Sequence, residues 1–118
     1  MTEPSLLDME LLDESAEMGM DDLRELIGLY FIQADEIIAS LQTAIQDGQS
    51  DHVNALAHKL AGSSAVCGIA GMVGPLRTLE CRGHEGQLSD ADPLMAVITE
   101  RLESCRRLLE EYLAKKGG

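Results

Sequence analysis

Between Leu23 and Ile45 the apolar residues fall at steps of three and four: Leu23, Leu26, Ile27, Tyr30, Phe31, Ala34, Ile37, Ile38, Leu41 and Ile45. That spacing gives a helix one dry face and one wet face. A strand would need alternation at every second residue. The spacing returns at Val53, Leu56, Ala57 and Leu60. It returns again at Leu94, Val97, Ile98, Leu102, Cys105, Leu108, Leu109 and Leu113.

Local signals bound these segments. Asp21 or Asp22 can cap the first long helix, because a carboxylate accepts from free N–H groups at the positive dipole end. Gly48 can end it in a left-handed conformation. Ser50 or Asp51 opens the next helix, which runs to about Cys67 before Gly68 stops it. A further helical segment spans Ile69 to about Arg82. Pro75 interrupts it, which predicts a kink or restart near Gly74. Gly83, Glu85, Gly86 and Gln87 read as loop. Asp92 then caps the last helix, with Pro93 at its first position and Lys115 and Lys116 at its negative end. Ahead of all this lies an acidic start, Met1 to about Met20, where Ser5 or Asp8 can open a short helix through Leu12.

Short connections make sequential helices antiparallel neighbours. The expected fold is therefore all-α: an antiparallel up-down-up-down four-helix bundle with a short N-terminal helical segment. The 118 residues fit a single domain, 1–118, with its core at about 10–113. Aromatic residues make up only 3% of the chain, so Leu, Ile, Val, Ala and Met must build that core.

Charge narrows the function classes. The net charge of −12 disfavours nucleic acid and an anionic membrane surface as partners. Residues 1–58 hold thirteen acids and one base, whereas residues 59–118 hold eight of each. No acid lies between His52 and Leu79. Three cysteines without a CxxC pair point to reduced thiols and a cytoplasmic setting. Met1–Glu17 lacks the apolar run of a signal peptide, and no stretch approaches a membrane span.

His58 is the candidate functional residue. At about 100° per residue it points roughly 150° away from the arc of Val53, Leu56, Ala57 and Leu60, into solvent. Its neighbours at three and four residues are Asn54, Ala55, Ala61 and Gly62, all small. A glycine inside a helix costs about 1 kcal/mol against alanine, so Gly62 is a costly choice for an ordinary surface. A lone exposed histidine is ordinarily just a surface residue. The stripped neighbours and the acid-free window set this one apart. An anion held at His58 meets no nearby acid in its own helix, and Lys59 attracts it. If the next helix packs antiparallel, Arg77 or Glu80 approaches the ring, the kink at Pro75 deciding which. A carboxylate such as Glu80 at Nδ1 would hold the tautomer that leaves Nε2 a free lone pair. Ser63 and Ser64 point inward by phase and are expected to bond the carbonyls of Lys59 and Leu60.

The run Ala57-His58-Lys59-Leu60-Ala61-Gly62-Ser63-Ser64-Ala65, followed by Gly68, Leu76, Leu79 and Glu80, resembles the signature of histidine phosphotransfer domains. The resemblance extends over about residues 10–113. It implies a four-helix bundle whose histidine exchanges a phosphoryl group with aspartates of receiver domains in a multistep phosphorelay. By that likeness His58 is the phosphoryl acceptor, Gly62 a close-approach glycine and Lys59 a cation beside the phosphoryl group. The partners implied are receiver domains of hybrid kinases or response regulators, met by a monomer. The chain would need no cofactor and no ATP site, the Mg²⁺ being expected on the receiver. One departure is plain. The lysine often found three residues after the family's histidine is Ala61 here. Lys59, or an arginine from the next helix, is then the local candidate to neutralise the phosphoryl group.

Rival readings have weaker support. A scaffold or sink that docks a receiver or kinase without transfer draws on the absent lysine. An enzyme reading draws on Gly68, Gly71 and Gly74, but no GK[ST] follows and no strand precedes them. A metal site draws on His52 and His58, which lie on different faces without ligand spacing.

Overall fold

The computed structural model describes residues 6–117, and every regular element among them is helical. Helix α1 spans Met9–Met18, α2 Met20–Gln46, α3 Ser50–Val66, α4 Val73–Glu85 and α5 Ala91–Gly117, with a 3₁₀ turn at Ala70–Met72 before α4. Helices α2 to α5 form the antiparallel four-helix bundle, and α1 packs at one end of it.

The helix ends show where local signals yield to packing. Asp8 caps α1 by accepting from the Leu11 N–H at 3.2 Å, and α1 runs six residues past the expected end at Leu12. The alternative opener, Ser5, lies outside the described residues. Gly19 both ends α1 and opens α2, so Asp21 and Asp22 do not cap. They sit in the first turn, where their charge still favours the dipole. Gln49 rather than Ser50 or Asp51 is the residue before α3. Gly48 and Gly68 adopt φ of 66° and 76° just past the ends of α2 and α3; both are the stops expected, and Gly48 is left-handed as expected.

Pro75 is the third residue of α4. The first N–H groups of a helix have no acceptor within it, so the missing donor costs nothing there. The chain restarts at Val73 and runs straight through Pro75. It also runs through Gly83 and Glu85, which the sequence placed in a loop; Gly86, at φ 72°, ends it instead. Helix α5 begins at Ala91, and Asp90 O accepts from the Leu94 N–H at 3.3 Å. Asp92 and Pro93 therefore lie inside the first turn rather than at the cap and first position.

Leu41, Leu60, Ile69, Met72, Leu76 and Ile98 are wholly buried at the centre, each such side chain contributing about 1.5–3 kcal/mol by leaving water. Leu26, Val97 and Leu108, expected in the stripes, stay exposed, while Met95 and Tyr112 are buried in α5. The stripe is wider than the contact each helix makes, so its margins face solvent. At the α1 end, Leu12 covers Gly68 and the Asp8 N–H donates to Gly68 O at 2.8 Å. Gly71 donates to Leu6 O at 2.9 Å. These contacts, not a phosphate loop, account for two of the three spaced glycines.

Candidate functional site

The site is built at the seam of α3 and α4. A Cβ on Gly83 would fall 2.6 Å from Asn54 N and 2.8 Å from Ser50 O, both backbone atoms. Only glycine permits that approach. Asn54 Nδ2 then donates to Glu80 O at 2.8 Å, tying the two helices together one turn from His58. The seam fixes the phase of α4 and brings both Arg77 and Glu80 to the histidine.

His58 is 68% exposed. Its Nδ1 lies 2.8 Å from Glu80 Oε2, and Arg77 Nη1 donates to Glu80 Oε1 at 2.8 Å. Each carboxylate oxygen thus serves a different partner. Arg77 Nη1 also lies 3.3 Å from His58 Nδ1. A guanidinium only donates and a carboxylate only accepts, so Nδ1 carries the hydrogen and gives it to Glu80. Arg77 Nη1 and Nδ1 are then neighbours because both donate to the one carboxylate, not through a bond to each other. The Arg77 guanidinium holds the Glu80 carboxyl below the usual carboxylate range; burial opposes it, and the hydrogen bond and charge of His58 add to the lowering. Among the described residues no hydrogen bond is made to Nε2.

On the other flank α2 and α3 leave an open groove beside the ring. Leu29, Ile32, Lys59, Gly62, Ser63 and Val66 line it, together with Glu36. Leu29, Ile32 and Val66 are 59%, 60% and 72% exposed, high values for large apolar side chains. Beneath it, the Tyr30 hydroxyl donates to Ser64 Oγ at 2.6 Å and Ser64 donates to Leu60 O at 2.7 Å.

The residues singled out from sequence divide between these surroundings. Glu80 and Arg77 both reach His58, so the alternative left open by Pro75 resolves to the pair. Ala55 is exposed beside the ring, and Lys59 is exposed on the groove side. Ala61 is wholly buried and therefore not part of the open face. Asn54 is half-buried and spends its amide on α4. Among the described residues nothing lies within 4 Å of where a Cβ on Gly62 would stand. Ser64 bonds Leu60 O as expected. Ser63 does not turn inward; it is half-exposed in the groove.

Two features were missed. Gly83 reads as loop in the sequence, although it sits at helical spacing from Leu76 and Leu79. The groove was not foreseen, although Leu29, Ile32 and Val66 are apolar residues off the core stripes, which is the signal that marks it.

The chain is similar to known proteins. A model of the Hpt domain family matches residues 25–114. Multistep phosphorelay regulator 1 of Schizosaccharomyces pombe is 33% identical over 101 residues, covering 82% of this chain and 33% of that protein. The chain thus spans about a third of the length of the curated relative it matches. The crystal structure of histidine-containing phosphotransfer protein B (HptB) from Pseudomonas aeruginosa PAO1 aligns with a TM-score of 0.88 at 23% identity, over 96% of this chain and 98% of that one. That likeness speaks for the fold. With a family match over most of its length, a bundle of the same architecture and an exposed histidine at its third helix, the chain belongs to the Hpt domain family.

Proposed function

We propose that this chain is a single phosphotransfer module that accepts a phosphoryl group on His58 Nε2 from a receiver-domain aspartate and passes it to another. One observation carries the reading: Nδ1 is held by Glu80 while Nε2 stands open beside an apolar groove. The lone pair of Nε2 forms the N–P bond as the bond from phosphorus to the aspartyl oxygen breaks. The leaving electron pair stays on the aspartate carboxylate. The Nδ1 proton remains on the ring, where Glu80 stabilises the positive charge that develops. Because that charge lowers the cost of breaking the N–P bond again, the same contact serves the return step.

Phosphoryl transfer asks mainly for positioning and charge stabilisation. The seam supplies the first, and the receiver's Mg²⁺ the larger part of the second. This chain is assigned no cofactor, metal or ATP site of its own. Its groove is the docking surface for the receiver, and its acidic first half steers encounter. No helix among the described residues is long and apolar enough to cross a membrane. A monomer acting in the cytoplasm fits a relay between receiver domains.

The test is incubation with a phosphorylated receiver domain, followed by an assay for acid-labile, base-stable label. Wild type, His52→Gln and His84→Gln should be labelled, and His58→Gln should not. Wild type without label would leave the scaffold reading in its place.

A further inference from the structure

We propose that Arg77 binds the phosphoryl group on phosphorylated His58, taking the place of the side-chain cation that Ala61 cannot supply. The inference rests on the reading of His58 as acceptor and adds the residue that neutralises its charge.

Three observations carry it. Ala61 is wholly buried, so its position opens on the core and not on the face where Nε2 stands. Arg77 Nη1 already lies 3.3 Å from the ring at Nδ1, and its side chain is 45% exposed, free to turn. Only Nη1 has a partner among the described residues, which leaves Nε and Nη2 with unspent donors.

The charges facing His58 favour the same residue. From α4 come Glu80 and Arg77; on the groove side stand Lys59 of α3 and Glu36 of α2. A phosphoryl dianion on Nε2 would face the Glu80 carboxylate across one imidazole ring. Arg77, bound to that carboxylate and 3.3 Å from the ring, is the cation on the α4 side that can reach across to a new anion. A guanidinium fork can keep one N–H on Glu80 and turn the others to phosphoryl oxygens. Lys59 lies on the other flank, in the groove where the receiver is proposed to dock. There it is better placed to meet the partner than to stay with the product.

The experiment loads the full chain with phosphoramidate, which needs no receiver, and follows the phosphohistidine signal by ³¹P NMR across pH. In wild type a neighbouring cation depresses the second ionisation of the phosphoryl group. Arg77→Gln should raise that midpoint by about half a unit or more, Arg77→Lys should restore most of it, and Lys59→Gln should leave it in place. Transfer from a phosphorylated receiver to Arg77→Gln should slow roughly tenfold, the size of one lost charge-assisted hydrogen bond. An unmoved midpoint in Arg77→Gln, or a shift in Lys59→Gln instead, would overturn the proposal. His58→Gln serves as the control. Label on that variant breaks the acceptor reading itself, an outcome distinct from a failure of Arg77 alone.

Discussion

The two flanks of His58 are built on opposite principles. Towards α4 the histidine meets a closed polar seam: Asn54 bonded to a backbone carbonyl, Glu80 shared between His58 and Arg77, and Gly83 pressed against the backbone of α3. Towards α2 it meets an open apolar groove, with Leu29, Ile32 and Val66 exposed and, among the described residues, nothing within 4 Å of a Cβ on Gly62. The seam joins its two helices by contacts made within the chain. The groove leaves its contacts unmade. In the proposed role the ring is held still yet reached by another protein, which needs both flanks, and they cannot occupy the same side.

Substitutions at the two flanks should therefore have opposite signatures. The largest effect on stability is expected at the seam. Gly83→Ala places a Cβ against backbone atoms that cannot yield, and should destabilise by about 1–3 kcal/mol in denaturant unfolding. Equal stability in that variant would show that α3 and α4 can separate without cost. Ile32→Glu in the groove should weaken receiver binding about tenfold while unfolding stays within roughly 0.5 kcal/mol of wild type. Titration calorimetry beside a thermal melt separates the two effects, and a fall in stability with unchanged affinity would relocate the docking surface.

Gly62→Ala is the mirror of Gly83→Ala. The space is open and helix propensity favours alanine, so stability should rise by up to about 1 kcal/mol. Binding of a receiver should weaken nonetheless, since the added methyl stands on the proposed docking face. The smallest effect is expected in acid. The Glu80 carboxyl lies below its ordinary value of 4.5 in the folded chain, so its contribution is present above that pH and is lost as pH falls through the depressed value. Glu80→Gln should flatten the part of the acid limb below 4.5 in a pH-dependent melt, and an unchanged limb would mean that the seam's ion pair adds nothing to stability.

Sequence and structure agree best where one helix is considered alone. The exposure of His58, the stops at Gly48 and Gly68 and the inward turn of Ser64 follow from phase within a segment. They part where a second helix intervenes. Gly83 looks like a loop residue until α3 lies against it. Ala61 looks like part of the exposed face until packing covers it. Asp21 and Asp22 look like caps, but Gly19 joins α1 to α2 in a single residue and leaves them inside the first turn. Leu26, Val97 and Leu108 belong to the apolar stripes by spacing, and the bundle simply does not extend over them.

By itself, then, the sequence determined the helices, the all-α class and the histidine that faces outward. These depend on periodicity and on end signals that act within a few residues. The order and spacing of the residues around His58 also carried the family likeness. Tertiary structure alone decided that both Arg77 and Glu80 reach the ring, that Nδ1 rather than Nε2 is engaged, and that the open flank is apolar. Those outcomes depend on how closely and in what rotation α4 and α2 pack against α3. Contacts far apart in the chain set that relation, with Gly83 and Asn54 fixing it on the α4 side.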